Sequence, residues 1–325
     1  MGGLPCDTAY VLGVDVGGTK IRPGFVDEKG NILASQKYPM DRSTMHTTLD
    51  SIRRAVEDFL SGWPQACPKA VGMGLVGRCV PSSGEWVHAV NLPIDHPVPI
   101  ARQMEQLVGA PVYVDNDVYC ATAAELAFGA GLRYRDFLLV NVGTGLSVGI
   151  VSDGRLLRGA GNVAGEAGQC FWSASLTLEQ CCSGGGIAQR AQSEPWCGAA
   201  FAGAPPNTVS AAQVFAAAQT GNADAARLIE NAVHSLCRAT ADLVAILNPS
   251  AVLFSGSVAT AAGVIPAVDR YVRAHAYKSS LMDLQKIALS ELDPTCVGLM
   301  GAARRAWEGL EYATGKDAVY ACAEK

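Results

Sequence analysis

Charge is scarce in this chain, and the scarcity already excludes partners. Only 17% of its 325 residues are Asp, Glu, Lys or Arg, the formal net charge is -5, and the isoelectric point is near 5.6. No dense Lys/Arg run occurs. A protein that grips nucleic acid through its phosphates needs a basic face, so no nucleic-acid partner is expected. No apolar run is long and uninterrupted enough to span a bilayer, so no membrane partner is expected either. Residues 1–8 lack a basic segment followed by an apolar one, so no secretory leader is read. Cys6 stands where a myristoylation signal beginning at Gly2 wants Ser or Thr. Histidine is sparse too: His46, His88, His96, His234 and His275 show no metal-ligand spacing. Cys-x-x-Cys is absent, and 11 cysteines, an odd number, are scattered through the chain. That pattern points to reduced thiols in the cytoplasm rather than a disulfide framework. The adjacent Cys181 and Cys182 would form only an awkward vicinal disulfide.

Three familiar nucleotide and hydrolase signals are missing or misplaced. The P-loop spacing G-x-x-x-x-G-K-[ST] does not occur. Gly72, Gly74 and Gly77 match G-x-G-x-x-G, but within and just after a strand, with no helix expected to follow. Gly145 to Gly149 match G-x-S-x-G, yet Ser147 falls inside an expected strand instead of at a strand-to-helix elbow.

What the chain does have is one glycine pattern used twice. Val14-Asp15-Val16-Gly17-Gly18-Thr19-Lys20 leads through an apolar stretch to Val26 and the turn Asp27-Glu28-Lys29-Gly30. Val140-Asn141-Val142-Gly143-Thr144-Gly145 leads through Leu146 to Val151 and the turn Ser152-Asp153-Gly154. Each copy reads as strand, glycine turn, strand, Asp/Gly turn, strand. Backbone N–H groups in such turns can grip an anion, and two facing turns can hold a phosphate chain. A nucleotide held between two related domains is the expectation.

The remaining pattern predicts an α/β protein of two domains, since 325 residues exceed one ordinary core. Strands are expected at 10–16, 21–26, 32–38, 70–75, 112–114, 137–142 and 251–255. Helices are expected at 47–62, 100–107, 119–128, 222–247 and 301–310. The longest helix carries Leu228, Ala232, Leu236, Leu243 and Leu247 on one stripe and is stopped by Pro249. Residues 198–208, rich in Gly, Ala and Pro, read as a long surface loop. The second copy sets the domain boundary near 118–132, giving domains 1–118 plus 301–325 and 119–300.

Several residues could carry chemistry. Asp15, at a strand end beside the Gly17-Gly18-Thr19-Lys20 turn, suits a carboxylate holding Mg²⁺ directly or through water. It also suits an ordinary hairpin with a solvated Asp. Asp115-Asn116-Asp117 follows one strand and precedes a helix, the place where open α/β folds bind ligands. One of the three could take a proton from an attacking hydroxyl, or one could simply be the helix N-cap. Glu166 is flanked by glycines in Gly161 to Gln169, which fits close approach to a ligand or merely a flexible loop. Gly256-Ser257 follows a buried strand and could let an adenine lie on backbone. His234 reads as an ordinary helix residue.

Taken in order, these motifs resemble the ROK family of sugar kinases over nearly the whole chain. D-V-G-G-T-K at Asp15 to Lys20 and G-T-G at Gly143 to Gly145 resemble the family's two phosphate motifs. V-D-N-D at Val114 to Asp117 resembles its catalytic segment, which implies Asp117 as the base and Asn116 as a sugar contact. A-G-E-A-G-Q at Ala164 to Gln169, Glu179 with Ser183-Gly184, Gly77-Arg78 and Asn91-Leu92-Pro93 resemble its sugar-site segments. Two departures stand out. The family's zinc-site His is Gln169 here, and the C-x-C-G-x-x-G-C run is replaced by a shorter Cys170 to Leu178 segment, so no zinc site is expected. Repressor members begin with a helix-turn-helix, for which the segment before Tyr10 leaves no room.

The resemblance implies an actin-like ATPase fold with an interdomain cleft holding ATP, Mg²⁺ and a hexose phosphorylated at its 6-hydroxyl. The cofactor-binding set is then Asp15, Gly17, Gly18, Thr19, Lys20, Gly143, Thr144, Gly145 and Gly256. The sugar set is Gly77, Arg78, Asn91, Asn116, Glu166, Gln169 and Glu179, around Asp117. It also implies a cytoplasmic homodimer. An N-acyl- or amino-hexosamine kinase, such as one for N-acetylmannosamine, is the alternative within the chemistry. A sugar sensor of little turnover and an actin-like filament protein are the alternatives outside it.

Overall fold

The first glycine pattern folds as a β-meander. β1 (Tyr10–Val16) turns through residues 17–19 and pairs antiparallel with β2 (Lys20–Asp27), which returns into β3 (Ile32–Ser35) and the two-residue β4 (Tyr38–Pro39). Asp27 closes the second turn by accepting the N–H groups of Lys29 and Asn31 at 2.9 and 2.8 Å. The computed structural model describes residues 8–89, 91–201 and 208–314. α1 (Met45–Ser61) starts on a Thr44/Thr47 capping box and buries Ile52, Val56 and Phe59 against the sheet core. β5 (Val71–Leu75) then lies parallel to β1. A small hairpin of β6 (Arg78–Val80) and β7 (Glu85–His88) leads to α2 (Ile100–Val108), β8 (Val112–Asn116) and α3 (Asp117–Phe128). The sheet order is β3-β2-β1-β5-β8, with β4 beside β2.

The second copy repeats the meander. β9 (Phe137–Val142), β10 (Leu146–Ser152) and β11 (Arg155–Leu156) are antiparallel neighbours. Asp153 (φ +51°) and Gly154 (φ +72°) form the two-residue turn between β10 and β11, the geometry that matches strand twist. Four short helices follow: α4 (Leu178–Cys182), α5 (Gly184–Ser193), α6 (Pro195–Ala200) and α7 (Ala211–Gln219). α8 (Ala223–Leu247), capped by Asn222, presses its expected stripe into the core. β12 (Ala251–Ser255), α9 (Val264–His275), α10 (Lys278–Asp283) and β13 (Lys286–Leu289) complete the sheet β11-β10-β9-β12-β13.

α11 (Val297–Ala313) returns to the first sheet. Its backbone meets β5 so closely that a Cβ on Gly72 would lie 1.8 Å from the Ala302 carbonyl oxygen. Gly72 and Gly74 therefore serve packing, and the strand after Gly77 is β6, as expected for a chance motif match.

Contacts divide the chain into a unit of residues 1–132, 159–163 and 292–325 and a unit of residues 133–158 and 164–291. The boundary falls after Leu132, at the far end of the expected 118–132 stretch, because α3 packs on α11: a Cβ on Gly301 would lie 1.9 Å from the Cys120 carbonyl oxygen. The returning segment likewise starts at Leu292 instead of 301. Of the stretch 198–208 expected as a loop, α6 occupies the start, to Ala200. Residues 202–207 lie outside the described residues, as do residues 1–7, where no leader was read, and 315–325 of the expected first domain. Among the described residues no helix is long and apolar enough to cross a membrane.

Candidate active site

The first unit gathers its polar side chains at the carboxyl ends of three parallel strands. β1, β5 and β8 are in register so that Asp15, Gly74 and Asp115 share one row, with Val16, Leu75 and Asn116 in the next. Two strand spacings, about 10 Å, separate the two carboxylate positions.

The Asp15 carboxyl has no hydrogen bond to another described residue. Burial pushes its carboxyl above the usual range, while the Lys20 and Arg22 charges pull it back. Arg22, its cross-strand partner, is itself tied to Ser35 Oγ at 2.9 Å and to the Thr295 carbonyl. The carboxylate lies against the first turn of α11, where a Cβ on Gly298 would come within 2.7 Å of it, so glycine is required there.

In the turn, Gly17 N–H donates to the Lys20 carbonyl and Met40 N–H to the Thr19 carbonyl, at 3.0 and 3.1 Å. The N–H groups of Gly18 and Thr19 have no partner among the described residues. Exposed Asn91 flanks the turn: a Cβ on Gly18 would lie 3.6 Å from that of Asn91.

At the end of β8 the three polar residues divide their work. Asn116 is the N-cap of α3, its Oδ1 accepting from Val118 N–H at 2.8 Å and Tyr119 N–H at 3.2 Å. Its Nδ2 donates to the Gly77 carbonyl at 2.7 Å, which leaves one amide hydrogen for a ligand. Gly77 holds φ +90°, and a Cβ there would strike the His88 carbonyl oxygen at 2.2 Å. Asp115 is fully buried and accepts from Asn116 N–H at 2.9 Å. Asp117, half-buried, opens α3, where the helix dipole favours negative charge.

Asn162 was missed in the sequence. Its Nδ2 donates to Asp115 Oδ1 at 3.2 Å across 47 residues of chain, and it sits at φ +55°. The available signal was an Asn directly after a glycine, a residue that tolerates left-handed backbone. Neighbouring Gly161 lies beside the exposed Arg78, whose Nη2 would be 3.7 Å from a Cβ there.

The second unit supports its glycine turn from behind. The carbonyls of Val142, Gly143 and Thr144 accept the N–H groups of Val258, Gly184 and Gly185 at 3.0, 2.7 and 2.9 Å. The N–H groups of Thr144 and Gly145 have no partner among the described residues. Gly256 holds φ +92° with its Cβ position 2.4 Å from the Val142 carbonyl carbon, so only glycine lets the end of β12 meet this turn. Glu179 Oε2 accepts Leu146 N–H at 2.8 Å and would lie 2.7 Å from a Cβ on Gly145. Glu166 is near enough to Glu179 for that charge, after desolvation, to push its carboxyl upward. Gln169 is exposed, one short turn beyond Glu166.

The donor set near Gln169 does not fit zinc. Cys170 is exposed, while Cys181 and Cys182 are buried in α4. The Cys182 thiol donates to the Leu178 carbonyl, and burial pushes it up to about 12. Among the described residues no three His, Cys, Asp or Glu side chains stand close enough to share a metal.

Comparison with known proteins supplies a lineage. The model of the ROK family matches residues 11–307. The glucokinase of Streptomyces coelicolor is 31% identical over 263 residues, 76% of this chain and 81% of that protein. The N-acetylmannosamine kinase of Shigella flexneri is 30% identical over 271 residues, 81% of this chain and 88% of that protein. Among solved structures, a ROK family glucokinase from Streptomyces griseus, in complex with glucose and AMPPNP, superposes with a TM-score of 0.74 at 28% identity, covering 93% of this chain and all of that one. The fold is thus the actin-like ATPase fold of the ROK sugar kinases.

Proposed function

The chain belongs to the ROK family, and from that premise we propose that it transfers the γ-phosphoryl group of ATP to a hexose at its 6-hydroxyl. One observation carries the reading. The Thr19 and Lys20 carbonyls of the first turn and the Val142, Gly143, Thr144 and Gly145 carbonyls of the second are engaged by protein, while the N–H groups of Gly18, Thr19, Thr144 and Gly145 have no partner among the described residues. Such donors suit the oxygens of a phosphate chain.

Gly17, Gly18, Thr19 and Lys20 hold one part of that chain; Gly143, Thr144 and Gly145 hold another, with adenine on backbone at Gly256. Asp117 orients the sugar hydroxyl and takes its proton as the oxygen bonds to the γ-phosphorus and the bond to the β-phosphate oxygen breaks. Gly77, Arg78, Asn91, Asn116, Glu166, Gln169 and Glu179 set which sugar is accepted. Asp15 fits Mg²⁺, directly or through water: it is a desolvated carboxylate without a described hydrogen-bond partner, beside the phosphate turn. When bound, the ion neutralises charge on the β- and γ-phosphates.

A second reading, a hexosamine kinase, is favoured by the neutral amide of Gln169 beside Glu166 and by the likeness to an N-acetylmannosamine kinase. A cytoplasmic homodimer accompanies either reading and is tested by sedimentation.

The experiment is ADP release with Mg²⁺-ATP across glucose, mannose, fructose, allose, glucosamine, N-acetylglucosamine and N-acetylmannosamine. One strong sugar establishes the kinase and chooses between the readings. Asp117→Asn lowers kcat on that sugar by about 10²–10⁴ with sugar still bound. Silence across the panel in folded, ATP-binding protein favours the sensor.

A further inference from the structure

The segment that replaces the family's cysteine-rich run is a closed hairpin. Phe171 and Thr177 form a bridge, Trp172 N–H donates to the Leu176 carbonyl at 2.8 Å, and Ser173 Oγ accepts from Leu176 N–H at 3.1 Å. At its base Leu178 N–H donates to the Cys170 carbonyl at 2.9 Å. That base joins two arms. One is the short turn Ala167–Gln169 that follows Glu166; the other is α4, started by the Thr177/Gln180 capping box and carrying Glu179. The hairpin thus links the arm bearing Gln169 to the arm bearing Glu179, alongside their direct packing, where a Cβ on Gly168 would lie 3.3 Å from the Glu179 Cβ.

A hairpin this small is not stable alone in water. One side chain fastens it to the rest of the unit: Trp172, half-buried against the core, with the guanidinium of Arg238 on α8 lying 4.8 Å from its ring centroid. Arg238 is otherwise exposed. The stacking of a cation on an indole is the strongest of its class.

We propose that Trp172 and Arg238 are positioning residues that clamp this hairpin to α8 without metal and thereby hold Glu166, Gln169 and Glu179 for the sugar. The clamp acts first on sugar binding, through Glu166, Gln169 and Glu179. Its kinetic consequence rests on the sugar-kinase reading; its structural consequence does not.

The test has three readouts. In hydrogen exchange of the full-length protein, Arg238→Met speeds exchange of residues 170–178 by about two- to fivefold, the worth of one exposed cation–π contact, with α8 unchanged. On the sugar found by the panel, Trp172→Ala raises KM for sugar about tenfold or more while KM for ATP stays within about twofold, and Trp172→Phe restores most of the loss. Elemental analysis of the purified protein finds far less than one zinc per chain. Unchanged exchange in Arg238→Met overturns the clamp, and so does stoichiometric zinc whose removal loosens 170–178. Should Trp172→Ala fail to fold, Arg238→Met carries the kinetic comparison alone, with a two- to fivefold rise in sugar KM by the same contact. Should no sugar turn over, faster exchange in Arg238→Met still upholds the clamp, and only the kinase reading falls.

Discussion

The two glycine hairpins are built alike and finished differently. In the first, the polar residue on the incoming strand is Asp15, a desolvated carboxyl without a described side-chain hydrogen-bond partner. In the second the same place holds Asn141, neutral, whose Oδ1 accepts the Ser255 hydroxyl at 3.1 Å. The first turn is closed chiefly by its own strand and the chain leading to α1. The second is supported by the start of α5 and by the loop after β12. One copy thus leaves its carboxylate without a described side-chain partner, and the other ties its side chain to Ser255. A repeated fold has specialised by one atom pair, carboxylate against amide.

Making the first copy like the second is the most severe way to test this contrast. Asp15→Asn lowers kcat by about 10²–10³, the several kcal/mol expected of a metal-held phosphoryl group. It also raises the melting temperature in calorimetry, because the desolvated carboxyl is gone. Normal turnover in this variant ends the distinction. Next comes a paired substitution in the turns. Gly145→Ala drives its Cβ into Glu179 Oε2 and detaches that carboxylate from Leu146. Sugar KM rises about ten- to a hundredfold, the worth of a hydrogen bond to a charged group. Gly18→Ala, whose Cβ finds Asn91 at an ordinary 3.6 Å, changes KM for either substrate by no more than about twofold. Equal effects would mean that the turns are equivalent after all.

Making the second copy like the first has a smaller effect. Asn141→Asp places a charge in a half-buried site and lowers unfolding free energy in urea by about 1–3 kcal/mol. Weaker ATP binding should accompany it. The smallest effect is a pH slope. Glu166 has its folded-state pKa raised, first by desolvation and then by Glu179. As pH rises the unfolded chain loses this proton first, so stability declines between the ordinary carboxyl range and the raised value and is level above it. Glu166→Gln flattens that decline; an unchanged slope would acquit Glu166, leaving Asp15, whose shift has the same sign.

Much of this was legible in the sequence, for local reasons. Strands with glycine turns and Asp/Gly returns declare themselves through short-range geometry, and both meanders stand where the pattern put them. α8 was legible through its stripe and its end. The short helices α4 to α7 were not, since they are too brief for periodicity to speak, and α5 begins on three glycines. α9 went unread although Pro266 sits in its first turn, where a helix tolerates proline. At the site, the competition among Asp115, Asn116 and Asp117 was visible but undecidable, because only the tertiary setting makes Asn116 the cap. Asn162 was hidden for the same cause: its partner lies 47 residues back.

The late return of α11 has a consequence for the order of events at the ribosome. β1 and β5 are made early, yet the surface that Gly13 and Gly72 leave bare is covered by Leu299, Ala302 and Ala303. Through synthesis of the whole second unit the first sheet waits with an apolar face unclosed, the kind of exposure that recruits chaperones or neighbouring chains. The second unit, finished by Glu291, carries no such debt. A nascent chain stalled before Val297 should therefore present one half that resists protease and one that does not.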